Sequence, residues 1–530
     1  MKAMKKLFSS LVALFIVCTM MITGVSAATV SQFVQNTETP NTYGYVDPET
    51  EQFETYSTVA GTAGNYTSIS SKIYKPVSGD TLIVCFHGNG EGGLDGTCNN
   101  YSQLAGNQMA VKFISPEVQE AYKGAYVLAF QAPDYWYNDY TVQAKAIIDR
   151  AKEEFGIKQV FVTGLSAGGL MTERMLSKYG DYFSGALISC AAIAKNGQYV
   201  EGLGGDYSLD YSLDENGNPV DENAYFNVAL NLQAPADLES YATNYAEWLV
   251  NMAESNVPMY LVHCTKDNTI AYEWSEIAYK TIKDYREQAG LDGDIYFQTI
   301  DSTGINKDTG SEMSGHWAWV KMYNNEISVG GVSTMSWFES LSTSTNTYEA
   351  KSYELPTAGA SDQENTFKYN LIAEVREDGE KVVAIEIDMN GQKVDAAQLT
   401  TDMFKVTGYN EDASGLAHTQ TTMYGLFGSK DEPNEIEVAN VSVNERGNIV
   451  LELATLKGVL NYAVPSLRNL ETNMRYNIAA VELPLIQSVS PTKEDKKTTS
   501  VETGDNTAIV LFVSITLLSA GAFLGIKKFC

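Results

Sequence analysis

The sequence predicts an α/β fold with a mostly parallel sheet, followed by an all-β domain. Between about residues 70 and 341, apolar strand-like runs alternate with segments of helical spacing, a pattern typical of a sheet covered by helices on both faces. After about residue 362, short alternating segments follow one another with turn signals between them. The 530 residues exceed what one hydrophobic core usually holds, which indicates two or three domains.

The strands of the α/β region are rich in β-branched and aromatic residues. They are TLIVCFHG, AYVLAFQAPD, KQVFVTG, GALISCAA, VPMYLVHC and DIYFQTI. Helical spacing appears between them, as in YTVQAKAIIDRAKEEFG and AGGLMTERMLSKYG, each ending at a glycine. A tyrosine-rich insertion over about 196–256 is longer than ordinary connections. It predicts a lid or substrate wall, with a surface embellishment as the alternative.

The all-β region covers about residues 363–487. Segments such as KVVAIEIDMNG and GNIVLELAT alternate apolar and polar residues between turn signals, which favours an immunoglobulin-like sandwich. A Ser/Thr-rich linker at 342–362 precedes this domain, and a flexible tether at 488–508 follows it. Residues 28–69 form an N-terminal extension to the α/β domain at 70–341.

The amino terminus has the form of a secretory signal peptide. Three lysines precede an apolar run that ends in the small residues Ser26 and Ala27. We therefore expect residues 1–27 to be removed on secretion. An N-terminal membrane anchor is the alternative.

The carboxyl terminus has the form of a membrane anchor. Residues 509–526 are apolar over about 18 positions, enough to span a bilayer, and two lysines follow. Upstream, Thr503, Gly504 and Asp505 resemble the cell-wall sorting signals of Gram-positive bacteria, where sortase cuts between threonine and glycine. Ser500 and Val501 replace the usual leucine–proline pair. We expect a secreted protein held at the cell surface, in the cell wall or the membrane, with sortase as a possible partner and a plain anchor at 509–530 as the alternative.

The charge of the chain excludes one class of partner. The formal net charge is −30, and nucleic-acid binding needs basic patches to neutralise phosphates. The cysteines are widely spaced and lack metal-ligand spacing, so we predict neither a metal site nor a cofactor.

A serine stands between two glycines where a strand meets a helix. Gly164, Ser166 and Gly168 fit the G-x-S-x-G pattern, after KQVFVTG and before a helical segment. Such a turn exposes the serine hydroxyl at the sheet edge, and the helix amino end favours negative charge that develops there. A purely structural turn is the alternative.

A nucleophilic serine needs a base and an acid that orients the base. Asp267 follows the strand VPMYLVHC, and His316 lies in a loop after the next strand. The order Ser166, Asp267, His316, each after a successive strand, is the order found in α/β-hydrolases. Asp301 is the alternative acid, and His263 is predicted to lie in the core or to support the site.

The loop CFHGNGEGG is predicted to complete an oxyanion hole. A backbone N–H near Asn89 or Gly90 would pair with that of Ala167. His87 in this loop is predicted to be structural. The residues predicted to contact substrate are Glu91, Asp134, Trp136 and Trp317.

The motifs HGNGEGG, GLSAGG, HCTKDNTI and GHWAWVKMYNNE together resemble secreted α/β-hydrolases. That group includes feruloyl esterases, polyhydroxybutyrate depolymerases and predicted peptidases related to prolyl oligopeptidase. The resemblance covers about half the chain and implies Ser166, Asp267 and His316 as the triad. The β domain is similar to the immunoglobulin-like domain of some bacterial esterases, although here it follows the catalytic domain.

The terminal segments, the aromatic-rich insertion and the resemblance together favour a cell-surface serine esterase that acts on feruloyl or acetyl groups of polysaccharides, or on similar esters. A prolyl-type peptidase with the same triad is the first alternative. A non-catalytic surface protein that binds carbohydrate is the second.

Overall fold

A computed structural model describes residues 31–38, 44–62, 64–93, 98–133, 136, 138–191, 246–307, 310–410, 431–454, 474–481 and 483–486. All of these lie in one compact unit that covers residues 1–486. The predicted signal peptide, tether and anchor, and most of the insertion, lie outside the described residues. Within the described ranges, no helix is both long enough and apolar enough to cross a bilayer.

The strands are named here in chain order. The first fourteen are β1 (Gln32–Gln35), β2 (Tyr45–Val46), β3 (Phe53–Ser57), β4 (Ala60–Thr62), β5 (Asn65–Ser68), β6 (Ser70–Tyr74), β7 (Thr81–Phe86), β8 (Ala125–Gln131), β9 (Gln159–Leu165), β10 (Gly185–Ser189), β11 (Met259–Cys264), β12 (Ile295–Ile300), β13 (Ser328–Val329) and β14 (Val332–Ser333). The others are β15 (Thr366–Arg376), β16 (Gly379–Ile387), β17 (Lys393–Val394), β18 (Phe404–Asn410), β19 (Asn434–Ile436), β20 (Val438–Val443), β21 (Ile449–Leu453), β22 (Met474–Ala480) and β23 (Leu485–Ile486).

The α-helices of the described residues all lie between residues 102 and 340. They are α1 (Ser102–Ala105), α2 (Met109–Lys112), α3 (Pro116–Ala121), α4 (Thr141–Phe155), α5 (Ala167–Tyr179), α6 (Ala246–Glu254), α7 (Glu273–Ala289), α8 (Ala318–Tyr323) and α9 (Thr334–Ser340).

The central sheet has eight strands in the order β12-β11-β10-β9-β7-β8-β6-β3. Strands β7 to β12 are mutually parallel. At one edge, β6 runs antiparallel to β8, and β3 runs antiparallel to β6. This sheet confirms the predicted mostly parallel α/β architecture. The parallel strands end at one edge of the sheet, and the loops that follow β7, β9, β11 and β12 meet there.

Two apolar cores cover the faces of this sheet. Residues of α4, α5, α6 and α7 pack on one face, and residues of α1, α2, α3, α8 and α9 pack on the other. Strands β7, β10 and β11 are buried along their whole length. Burial on both faces explains why these strands are continuous apolar runs in the sequence.

The N-terminal extension joins two sheets. Strands β1 and β2 pair in parallel with β15, and β3 pairs with β6 of the central sheet. The sheet that contains β15 continues through β16 and β21 to β20. Tyr101, which precedes α1, and Ala105, its last residue, belong to the apolar core of this second sheet, and Val375 belongs to a core of the first. The two parts therefore share side chains, while the immunoglobulin-like identity of the second remains a prediction.

Candidate active site

Ser166 lies on a strained turn between β9 and α5. Its φ is 55° and its ψ is −122°, a conformation that costs a non-glycine residue about 1–3 kcal/mol. The flanking glycines permit it through close approach of backbone. A Cβ on Gly168 would lie 1.9 Å from the carbonyl oxygen of Phe86, and one on Gly164 would lie 2.2 Å from that of Gly168. The serine is thereby held at the amino end of α5, as the G-x-S-x-G motif predicts.

Ser166, His316 and Asp267 form one chain of hydrogen bonds. The Oγ of Ser166 lies 2.8 Å from Nε2 of His316, and Nδ1 of His316 lies 2.7 Å from Oδ2 of Asp267. All three side chains are largely buried, so water competes little for these bonds. The three predicted residues are therefore brought together in the order that serine activation requires.

The carboxylate of Asp267 is surrounded by donors. Its Oδ1 accepts from the backbone N–H groups of Thr269 (2.8 Å) and Ile270 (3.0 Å). Its Oδ2 faces His316 and also Nε2 of His263, at 3.1 Å. Burial favours the neutral acid, but the charge of His316 and the hydrogen bonds from both imidazoles outweigh it. The pKa of Asp267 is therefore well below its usual value.

The loop that carries His316 packs against the loop that carries Asp267. A Cβ on Gly315 would lie 2.3 Å from the carbonyl oxygen of Lys266, so only glycine permits this approach. The Oγ of Ser314 accepts from the backbone N–H of His316 at 3.3 Å. The ring of Trp319 stands perpendicular to the imidazole, with centroids 5.3 Å apart. These contacts fix the imidazole between its two partners.

The loop after β7 lies beside the nucleophile. Nε2 of buried His87 accepts from the backbone N–H of Ala132 at 2.9 Å, so its Nδ1 carries the hydrogen and donates to the carbonyl of Gly88. Burial lowers the pKa of His87 to about 4, so it stays neutral. A Cβ on Gly88 would lie 3.8 Å from Cβ of Ser166. Asn89 and Gly90, two of the predicted oxyanion donors, follow in a short 3₁₀ turn, and Ala167, the third, is the first residue of α5.

Glu91 is a second buried carboxyl group of the site. Its Oε1 accepts from Asn107 at 3.3 Å, whereas Oε2 has no hydrogen-bond partner among the described residues. Burial raises the pKa of this carboxyl to about 7, and the charge of His316 opposes the rise. Glu91 therefore lies within electrostatic reach of the triad, and it gains or loses its proton near neutral pH.

The other predicted substrate contacts have different outcomes. Trp136 is fully buried, packs on Phe86 and His87, and donates from Nε1 to the carbonyl of His87 at 3.1 Å. This is a correction, because Trp136 supports the loop after β7 and lines no open surface. Trp317 is partly exposed next to His316. Asp134 lies outside the described residues.

The alternative acid, Asp301, follows β12 and is exposed to solvent. Asp267, and not Asp301, is hydrogen-bonded to His316. His263, predicted to lie in the core or to support the site, is buried and contacts Asp267, a partner that the sequence prediction did not specify. The four-residue spacing of these two residues across the end of β11 was the only signal of this contact.

Cys190, His263 and Asp267 bring a thiol, an imidazole and a carboxylate within 4.8 Å of one another. Such a set can ligate a metal ion, but the histidine and the aspartate are already engaged in hydrogen bonds. Burial raises the pKa of the Cys190 thiol well above its usual value, which disfavours the thiolate that a metal would need.

The parallel sheet, the strained serine and the Ser–His–Asp chain define the class of protein. Over the described residues, the molecule has the α/β-hydrolase fold and the Ser–His–Asp geometry of serine hydrolases.

The comparison with protein families agrees with that class. The sequence profile of the prolyl oligopeptidase family matches residues 125–324. No curated protein matches the chain significantly.

Among solved structures, a thermostable esterase shares 19% identity at a TM-score of 0.35, over 55% of this chain and 63% of the esterase. An acylaminoacyl peptidase from Pyrococcus horikoshii shares 15% identity at a TM-score of 0.28, over 47% of this chain and 37% of the peptidase. An acylaminoacyl peptidase in complex with Z-Gly-Gly-Phe-chloromethyl ketone shares 16% identity at a TM-score of 0.31, over 58% of this chain and 43% of the peptidase. The chain thus spans under two thirds of each of these three. TM-scores this low carry no inference about substrate.

Proposed function

We propose that the protein is a cell-surface serine esterase that releases feruloyl or acetyl groups from polysaccharides. The observation that carries the hydrolytic part is the chain from Ser166 through His316 to Asp267. Secretion, surface anchoring and the polysaccharide substrate rest on the terminal segments and on the resemblance given above.

Acylation begins at Ser166. Nε2 of His316, 2.8 Å from Oγ, takes the serine proton while Oγ attacks the ester carbonyl. The ionised carboxylate of Asp267 stabilises the imidazolium that results. The backbone N–H groups of Ala167 and of Asn89 or Gly90 are the donors we assign to the oxyanion, each worth about 3–4 kcal/mol.

Deacylation repeats the same steps with water. The imidazolium first gives its proton to the leaving alcohol, and the neutral imidazole then activates a water molecule that attacks the acyl-enzyme. Asp267 is ionised throughout, because its four donors oppose protonation. The acid is released and Ser166 regains its proton.

A peptidase is the second candidate, and the match to the prolyl oligopeptidase family favours it. The same triad cleaves an amide when His316 protonates the leaving amine. The substrate series must therefore include amides as well as esters.

The test compares the secreted fragment with its Ser166→Ala variant on nitrophenyl acetate, methyl ferulate and prolyl nitroanilide. The esterase proposal expects ester turnover that falls by several orders of magnitude in the variant, with little amide cleavage. Amide cleavage with little ester turnover would favour the peptidase. A fluorophosphonate that fails to label Ser166 would favour the carbohydrate-binding alternative.

The location can be tested separately in a Gram-positive host. We expect the full chain in the cell-wall or membrane fraction, and a chain that ends before residue 500 in the medium. Retention of the short form inside the cell would contradict secretion.

A further inference from the structure

A second imidazole lies behind the triad acid. Nε2 of His263 lies 3.1 Å from Oδ2 of Asp267 and 2.9 Å from the carbonyl oxygen of Ile270. The carbonyl and the ionised carboxylate can only accept, so Nε2 carries a hydrogen and divides it between them. Its other nitrogen, Nδ1, lies 2.8 Å from Oγ of Ser275 in the first turn of α7.

We propose that His263 is a positioning residue of the triad that restrains the Asp267 carboxylate and weakens its hold on the His316 imidazolium. This inference rests on the proposed hydrolase function. It extends the hydrogen-bonded chain from Ser166 back to Ser275.

Both imidazoles share a single oxygen of Asp267. Oδ2 of Asp267 receives His316 at 2.7 Å and His263 at 3.1 Å, while Oδ1 is occupied by two backbone N–H groups. A donor on the same oxygen withdraws charge from the bond to His316. His263 therefore fixes the direction of that bond and limits its strength.

Burial makes this effect large enough to measure. His263 and Ser275 are almost fully inaccessible to solvent, and the Asp267 side chain is completely buried. No bulk water can replace a donor lost from Oδ2 without rearrangement. Removal of the His263 donor concentrates charge on the His316 bond, stabilises the imidazolium, and moves the acid limb of kcat/KM to higher pH.

Other titratable groups in this region can also affect the pH profile. They are Glu91 near His316, Cys190 near His263 and Asp267, and Cys264 near Asp267. Glu91 matters most, because its pKa is raised to about 7, within the range of the acid limb. Each variant is therefore also measured in a Glu91→Gln background.

The matched pair is His263→Asn and His263→Gln. Both introduce an amide. The glutamine amide nitrogen reaches the position of Nε2 and can donate to Asp267, whereas the shorter asparagine reaches only toward Ser275. We expect the acid limb of kcat/KM to move up by about half a pH unit or more in His263→Asn. We expect it to stay near the wild-type position in His263→Gln.

Ser275→Ala provides a second measurement if His263→Asn fails to fold. It keeps the imidazole but removes the partner that orients it, so a smaller shift in the same direction is expected. Fluorophosphonate labelling of Ser166 and a thermal melt give the folded, competent fraction of each variant. If His263 had only a structural role, its variants would lower the folded, competent fraction and leave the acid limb of kcat/KM at the wild-type pH.

The outcomes separate the two proposals. A wild type without hydrolytic activity overturns the proposed function. An active wild type whose acid limb is unmoved in His263→Asn, or in Ser275→Ala when the first variant does not fold, overturns the role of His263. An equal shift in His263→Gln and His263→Asn overturns it as well, because the donor would then be irrelevant.

Discussion

Two regions of the molecule bury carboxyl groups in opposite electrostatic states. At the triad, Asp267 receives two imidazoles and two backbone N–H groups, and its pKa is well below the usual value. Between the two sheets, Asp47 after β2 interacts with Glu380 of β16, which also accepts from the hydroxyl of Tyr101 at 2.5 Å. Burial and mutual repulsion raise the pKa of Asp47 well above normal, and burial raises that of Glu380.

The difference shows that burial alone does not set the charge of a carboxyl group. All three carboxyl groups are buried, yet only Asp267 has imidazole donors aimed at it. The interface pair has hydroxyl and backbone donors, and its members face each other, so one of them must keep a proton. The first arrangement favours the ionised acid, and the second favours the protonated one.

The largest effect should come from removing the charge of Asp267. In Asp267→Asn we expect kcat to fall by about three to four orders of magnitude, because the amide cannot stabilise the imidazolium and favours the wrong tautomer of His316. Steady-state ester hydrolysis measures the loss. Asp301→Asn serves as the control and should retain wild-type turnover, since that side chain is exposed. Equal losses in both variants would refute Asp267 as the acid.

A smaller loss of activity is expected when the loop that carries His316 is shifted and the triad residues themselves are kept. In Gly315→Ala the new Cβ meets the carbonyl oxygen of Lys266 at 2.3 Å, so the loop must shift. We expect kcat/KM to fall about 100-fold, as for a misplacement near 1 Å. Gly310→Ala is the control, because a Cβ there meets no described atom within 4 Å, although its positive φ opposes the change. A Gly315→Ala enzyme with wild-type kcat/KM would contradict this reading of the loop.

The interface pair should affect stability and not chemistry. Because its pKa values are raised in the folded protein, the native state binds more protons than the unfolded chain, and the free energy of unfolding falls as pH rises above about 4. Glu380→Gln removes one of the two acids. We expect it to flatten this fall and to gain on the order of 1 kcal/mol at pH 8. Urea unfolding at pH 5 and pH 8 measures both.

Asp80→Asn is the control for that measurement. The pKa of Asp80 is lowered because hydrogen bonds from Ser344 and Lys158 outweigh its partial burial. The contribution of Asp80 to the free energy of unfolding is therefore present above its unfolded pKa and is lost as pH falls. We expect the two variants to respond to pH with opposite signs, and a common sign would refute the assignment.

The smallest effect on activity is expected for Glu91, a buried carboxyl group whose pKa is raised to about 7. Above its pKa of about 7 the carboxylate adds a negative charge within electrostatic reach of the triad, and that charge opposes the negative charge that develops during acylation, so Glu91→Gln should gain activity relative to wild type as pH rises. We expect the ratio of kcat/KM values, variant over wild type, to grow about threefold between pH 6 and pH 9. A ratio independent of pH would show that Glu91 does not titrate in this range.

The sequence was sufficient for the central sheet and the triad. Continuous apolar runs predicted parallel strands, because strands buried on both faces have no polar side. Gly164, Ser166 and Gly168 predicted the elbow, because only small residues permit the backbone contacts that the structure shows. The position of Asp267 and His316 after successive strands predicted their meeting, because parallel strands end at one edge of the sheet.

Other features were decided only by the tertiary structure. Trp136 reads as a pocket aromatic in sequence, yet it packs beneath the loop after β7, since nothing local tells which face of a turn will be covered. The pairing of β1 and β2 with β15 joins segments more than 300 residues apart, and short strands carry no local record of a distant partner. The protonation states of Asp267, Glu91 and Glu380 likewise depend on which donors the fold brings to each carboxyl group. Composition fixes how many acids the chain has, but their charges follow from neighbours that only folding supplies.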